Sequence, residues 1–177
     1  GSWRYNTDGI DMHNCVNARV SDCFLRTFDD SVCVKGYPKT IPFDENELRE
    51  DPALRNVARG ITVERCVIWN DWGKCLEIGA GTRAREISDI LFHDCDLINI
   101  SAIGISEYVV DYANVKNVRY EDIRLEYPAV SPCSRYQESD AEPYSPGEGL
   151  PDTLSLVVAR HAQWTRSKAA PGSIDGV

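Results

Sequence analysis

The sequence predicts an all-β fold, a right-handed parallel β-helix, and three observations point to it. The segments 18–25, 61–68, 90–97 and 118–125 align without gaps, with apolar residues at the first, third, sixth and eighth places each time. A second set of short alternating segments accompanies them, at 10–12, 32–34, 76–78 and 103–105. Turn residues and β-branched runs dominate between them, a pattern that suits strands rather than helices. No single repeat has enough apolar surface to fold alone, so the repeats must stack. A β-sandwich is the competing fold, but its strands would not recur in so fixed a pattern.

The eight-residue repeat reads as two short strands joined by a two-residue corner, at Ser21-Asp22, Glu64-Arg65, His93-Asp94 and Glu121-Asp122. The alternation at 10–12, 32–34, 76–78 and 103–105 is the period-two signature of a strand with one inward face. The expected order is therefore strand, corner, strand, corner, strand, with coils about 4.8 Å apart. Asp8 to Asp30 makes one coil, Asp30 to Lys74 one coil with an insertion, and Lys74 to Ser101 another. The insertion, about 36–57, carries Pro38, Pro42, Pro52 and an acidic run, and reads as a surface excursion with one or two helical turns. A second excursion covers about 127–151, after which Leu154 to Val158 begins a further coil. Residues 172–177 resemble the start of one more strand. We read the whole of 1–177 as one solenoid segment from the middle of a longer one, and its uncapped ends predict self-association.

Composition narrows the function. Of 177 residues, 42% are hydrophobic and 27% charged, ordinary for a globular protein. The net charge of −9 and the lack of a Lys/Arg cluster argue against nucleic acid or an anionic membrane as partner. No apolar run is long enough for a transmembrane helix. Of the seven cysteines, Cys23, Cys66 and Cys95 take the same place in successive repeats, which predicts an inward ladder of small apolar groups. No Cys-x-x-Cys pair suggests a metal, and no metal or other cofactor is expected.

One edge of the stack concentrates acid. Two residues before each strand of the second set stand Asp8, Asp30, Lys74 and Ser101; one residue earlier stand Thr7, Asp29, Gly73 and Ile100. Stacking makes Asp8 and Asp30 neighbours, with Asp29 beside them. Carboxylates sharing one field raise the pKa of at least one member. That suits acid–base chemistry, in which one carboxyl keeps a proton to donate while others activate water. Inverting glycoside hydrolysis uses such a division, with the two roles roughly 6.5–9.5 Å apart. Lys74 stands ready to pair with Asp30 or to touch a sugar hydroxyl. Glu77 shares an outer face with Asp11 and Cys33 and is a candidate groove residue. Trp72 takes the place of Phe28 on the next coil and is a candidate sugar-stacking ring. His13, His93 and His161 lie outside the row, and Asn99-Ile100-Ser101 matches a glycosylation sequon.

Asn6-Thr7-Asp8-Gly9 followed one coil later by Asp29-Asp30 resembles the polygalacturonase-like family 28 glycoside hydrolases, in the pectin-lyase-like superfamily. The resemblance runs from about residue 3 to 127. It implies Asp29 as general acid, Asp8 and Asp30 as the residues that hold and activate water, a carbohydrate substrate, and a secreted or periplasmic location. The chain departs from the family pattern twice. Lys74 stands where the family has the His of Gly-His-Gly, and 103–107 lacks the Arg-Ile-Lys that grips a uronate. The resemblance therefore implies a neutral or differently charged sugar. The alternatives are a non-catalytic carbohydrate-binding β-helix and, ranked last, a polysaccharide lyase with Lys74 as base.

Overall fold

The computed structural model describes residues 7–36, 56–129, 151–166 and 170–177. Both expected excursions, including the helical turns expected in the first, fall largely outside these residues. Twelve strands build the described chain: β1 (Ile10–His13), β2 (Arg19–Ser21), β3 (Phe24–Thr27), β4 (Val32–Gly36), β5 (Val57–Glu64), β6 (Val67–Asn70), β7 (Lys74–Thr82), β8 (Glu86–Ile98), β9 (Ile103–Val109), β10 (Asn114–Glu126), β11 (Asp152–Val158) and β12 (Ser173–Asp175). They pair in parallel as one sheet, β1-β4-β7-β9-β11, and a second, β2-β5-β8-β10-β12, on which β3 and β6 also pair. The architecture is a parallel β-helix, as the repeats predict.

Register explains why the repeat pattern works. In the first sheet Ile10, Val32, Leu76 and Ile105 stack, as do Met12, Val34 and Ile78. These side chains face the core and are buried apart from the half-buried Ile10. In the second sheet Val20, Val63, Phe92 and Tyr120 form one column, and the Phe92 and Tyr120 rings stack with centroids 5.0 Å apart. The two-residue corners occur at every expected place. Their second residues, Asp22, Arg65, Asp94 and Asp122, all take left-handed φ between 50° and 58°. Short polar residues tolerate that conformation best, which explains three of the four.

Behind each corner the cysteine ladder forms as predicted. The neighbouring pairs fix Cys23, Cys66, Cys95 and Ile123 in one column. Each thiol donates to the carbonyl two residues before it: Cys23 to Ser21 at 3.2 Å, Cys66 to Glu64 at 3.3 Å and Cys95 to His93 at 3.2 Å. The six described cysteines are free thiols. A second left-handed column runs through Asn17, Gly60, Asp89, Asn117 and Gly176, and the sequence patterns gave no sign of it.

One expected register is corrected. Lys74 pairs with Ile103, not with Ser101, and Ile103 in turn pairs with Asp152. A slip of two residues keeps the same face inward, so alternation alone cannot detect it. The cysteine ladder could have, because Val67 pairs with Asp96 and the same offset carries Lys74 to Ile103.

Candidate functional site

The acidic edge lies on the turn that leads into the first sheet. Because Ile10 stacks on Val32 and Val32 on Leu76, the residues two places earlier, Asp8, Asp30 and Lys74, occupy successive rungs. The Gly9 amide donates to the Asp30 carbonyl at 2.9 Å and fixes the two turns together. Gly9 has to be glycine: a Cβ there would run into the Ser31 carbonyl. Gly73, at φ 95°, lies against the Asp29-Asp30 peptide, where a Cβ would be 2.9 Å from the Asp29 carbonyl carbon. Close backbone approach therefore brings the acidic turns into register.

Asn70 is the hub beneath them, and the sequence motifs did not single it out. Its side chain is fully buried. Its Nδ2 donates to the Asp29 carbonyl at 2.9 Å, to Ser31 Oγ at 3.0 Å and to Thr27 Oγ1 at 3.2 Å, while its Oδ1 accepts from Ser101 Oγ at 3.0 Å. The signal was a polar residue at the next inward position, two places after the apolar repeat ends at Ile68. Buried amides of this kind are retained when every bond is satisfied.

Two lysine bridges then organise the charge. On the first, Lys35 Nζ reaches Asp8 Oδ2 at 3.0 Å and Asp11 Oδ2 at 2.8 Å. On the second, one rung on, Lys74 Nζ lies 3.4 Å from Asp30 Oδ2 and 3.1 Å from Glu77 Oε2. The Lys74 amide also donates to Asp30 Oδ1 at 2.9 Å. Asp29 caps its own turn, its Oδ1 accepting from the Asp30 amide at 2.9 Å. Asp29 is half-buried and Asp30 buried. Trp72 is half-buried between Asp71 and Gly73. Its neighbour Asp71 accepts from Trp69 Nε1 at 2.9 Å and from Arg26 Nε at 2.7 Å.

Ionisation follows from these contacts. Burial pushes the Asp8 carboxyl above its ordinary value, against the opposing charge of Lys35, and the nearby charges of Asp11 and Asp30 push the same way. For Asp30 burial would also raise the pKa. There the Lys74 charge, the adjoining Glu77 carboxyl and the Lys74 amide prevail and hold it below the ordinary value. Glu77 is pushed well up, by burial first and then by the Asp30 charge. Opposite charges act on Lys35 and Lys74 against burial and keep both protonated.

Glu77 shares the outward column of Asp11 and Cys33, as its spacing predicts. It is nevertheless fully buried, so it presents no oxygen to a groove, and its contact is with the underside of Lys74 and Asp30. Asp8, Asp11 and Cys33 form one group with donor atoms within 4.8 Å of one another, and Asp30, Cys33 and Glu77 another. In each a lysine ammonium already sits at the carboxylates and supplies the positive charge a cation would bring. Neighbouring carboxyls that differ in burial and in lysine contact differ in proton affinity, which is what acid–base chemistry requires. The family model of glycosyl hydrolases family 28 matches residues 2–134, and no curated protein matches the chain.

Proposed function

Because the chain belongs to glycosyl hydrolases family 28, we propose that it cleaves a glycosidic bond of a polysaccharide or oligosaccharide with inversion at the anomeric carbon. Asp29 donates its proton to the glycosidic oxygen as that bond breaks. A water held by Asp8 and Asp30 attacks the anomeric carbon from the opposite face, and its proton passes to one of these carboxylates. The observation that carries the reading is the placement of Asp8 and Asp30 on adjacent rungs, each bound to its own lysine, with Asp29 next in the chain. Lys74 holds Asp30 below the ordinary carboxylate range, and Lys35 opposes the rise that burial imposes on Asp8.

The same pairing favours a neutral sugar over a uronate. Lys35 and Lys74 are both committed to carboxylates, and Ser106, beside Glu77 on the next rung, brings no charge. Action on a polymeric glycan fits a protein working outside the cytoplasm, and we place it there. The test is release of reducing ends from a panel of neutral plant polysaccharides and homogalacturonan. Asp29→Asn is expected to lower turnover by about 10²–10⁴-fold with an unchanged melting curve. Retained turnover, or loss of fold along with activity, contradicts the assignment.

A further inference from the structure

The two lysine bridges have the same plan but differ in their outer acid. In the first, Asp11 is exposed and also accepts from His13 at 3.3 Å, and these bonds with Lys35 hold it well below the ordinary carboxylate range. In the second, the same column carries Glu77, fully buried, with neither carboxyl oxygen in a hydrogen bond to a donor. Lys74 Nζ is close at 3.1 Å but off the bonding direction. Among the described residues the Cys33 thiol and the Asp30 carboxylate both lie within 4.8 Å, and Asp30 Oδ1 accepts from the Lys74 amide. Two buried carboxyls that share one lysine need only a single negative charge balanced when Glu77 carries a proton and donates it to Asp30. Lys74 then balances one negative charge instead of two. Among the described residues, Cys33 on β4, Lys74 on its own strand, Asp30 on the preceding turn and Tyr120 across the core are titratable groups that act on it or feel its charge. Cys33 and Tyr120 are raised by burial, Tyr120 well above its ordinary value, so both stay neutral.

We propose that Glu77 is a positioning residue of the catalytic site: a buried carboxylic acid that donates a hydrogen bond to Asp30 and, with Lys74, fixes the orientation and negative charge of that water-activating base. This rests on the hydrolase reading for its effect on rate, but not for the state of Glu77 itself. A hydrogen bond to the ionised form lowers a carboxyl pKa. Removing it shifts the acidic limb of the rate profile upward, because Asp30 then takes up its proton at higher pH.

The test compares Glu77→Gln with Glu77→Met in the full chain. Gln still donates to Asp30 and is neutral, and it is expected to keep kcat within about threefold of the parent. Met fills the same space without a donor; it is expected to lower kcat by about tenfold or more, leave KM within about twofold, and move the acidic limb up by about one pH unit. A role in packing alone would make the two variants equal, and equal variants overturn the proposal. Carbon-13 NMR of protein labelled at the Glu carboxyls, with Glu77→Gln giving the assignment, tests the acid without any turnover. A protonated Glu77 carboxyl at pH 7 is expected, and an ionised one overturns the proposal. If no glycan is cleaved, the hydrolase reading fails while this spectrum still decides whether Glu77 carries the proton.

Discussion

The corner at Ser21-Asp22 is rebuilt on each of four coils, with Glu64-Arg65, His93-Asp94 and Glu121-Asp122 in the same place, whereas the turn at Asp29-Asp30 is built once. The repeated corner uses one left-handed residue and, on three coils, a thiol bonded two residues back. Its charged groups lie at the surface: Arg65 reaches Asp22 at 2.7 Å and Glu64 at 2.6 Å. The unique turn buries its charges, ties them to Lys35 and Lys74, and hangs on Asn70. Repetition along a solenoid marks what each coil needs in order to stack. A break in the repetition marks a place where the chain carries charge and buried polar groups that stacking alone does not require.

The largest effect on this contrast is expected from Asn70→Ala. It strips partners from the Asp29 carbonyl, Thr27, Ser31 and Ser101 at once. Buried groups left unsatisfied cost about 1–3 kcal/mol each in the worst case, and partial relaxation brings the expected loss to about 3 kcal/mol. Chemical denaturation measures it. Hydrolysis should fall by more than stability explains, because the turn carrying Asp29 is released. A variant as stable and active as the parent would show that the turn holds itself.

A smaller effect comes from Glu107, a carboxyl on the inward face of β9. It accepts from the Tyr120 hydroxyl at 3.1 Å, and burial pushes its pKa up to about 7 against that bond. In the unfolded chain the same group releases its proton near 4.5. Between these values the unfolded state binds fewer protons, so stability is fully present below about pH 4.5 and falls as pH rises to about 7. The loss is on the order of 3 kcal/mol. Glu107→Gln should remove this slope from a plot of Tm against pH, and an unaltered slope would assign it elsewhere. The smallest effect is expected from Arg65→Ala at a repeated corner. Exposed ion pairs contribute little, so Tm should stay within about 2 °C. A large drop would mean that the repeated corner depends on its charges and not on its backbone.

These differences also explain what was legible in the sequence. Apolar residues at fixed places in 18–25, 61–68, 90–97 and 118–125 announced the coil, since burial demands the same residue type on every rung. The rung order of Asp8, Asp30 and Lys74 was legible because the strands after them alternate cleanly. Ile103 was misplaced by two because alternation has that ambiguity. Asn70 and Glu107 were not found, although both stand at inward places, because a polar residue there reads as a break in the pattern until its partner across the core is known. Glu77 showed its face but not its burial, which depends on groups from other rungs.

The claim at the centre is that Asp8 and Asp30 direct a water onto the sugar ring from the face opposite the bond that Asp29 protonates. Proton NMR of the first product, recorded before mutarotation, tests it most directly. The account predicts that the new reducing end has the opposite anomeric configuration to the bond that was cut. A product that keeps the original configuration would mean that one of these carboxylates bonds to the sugar instead of to water, and would contradict the account.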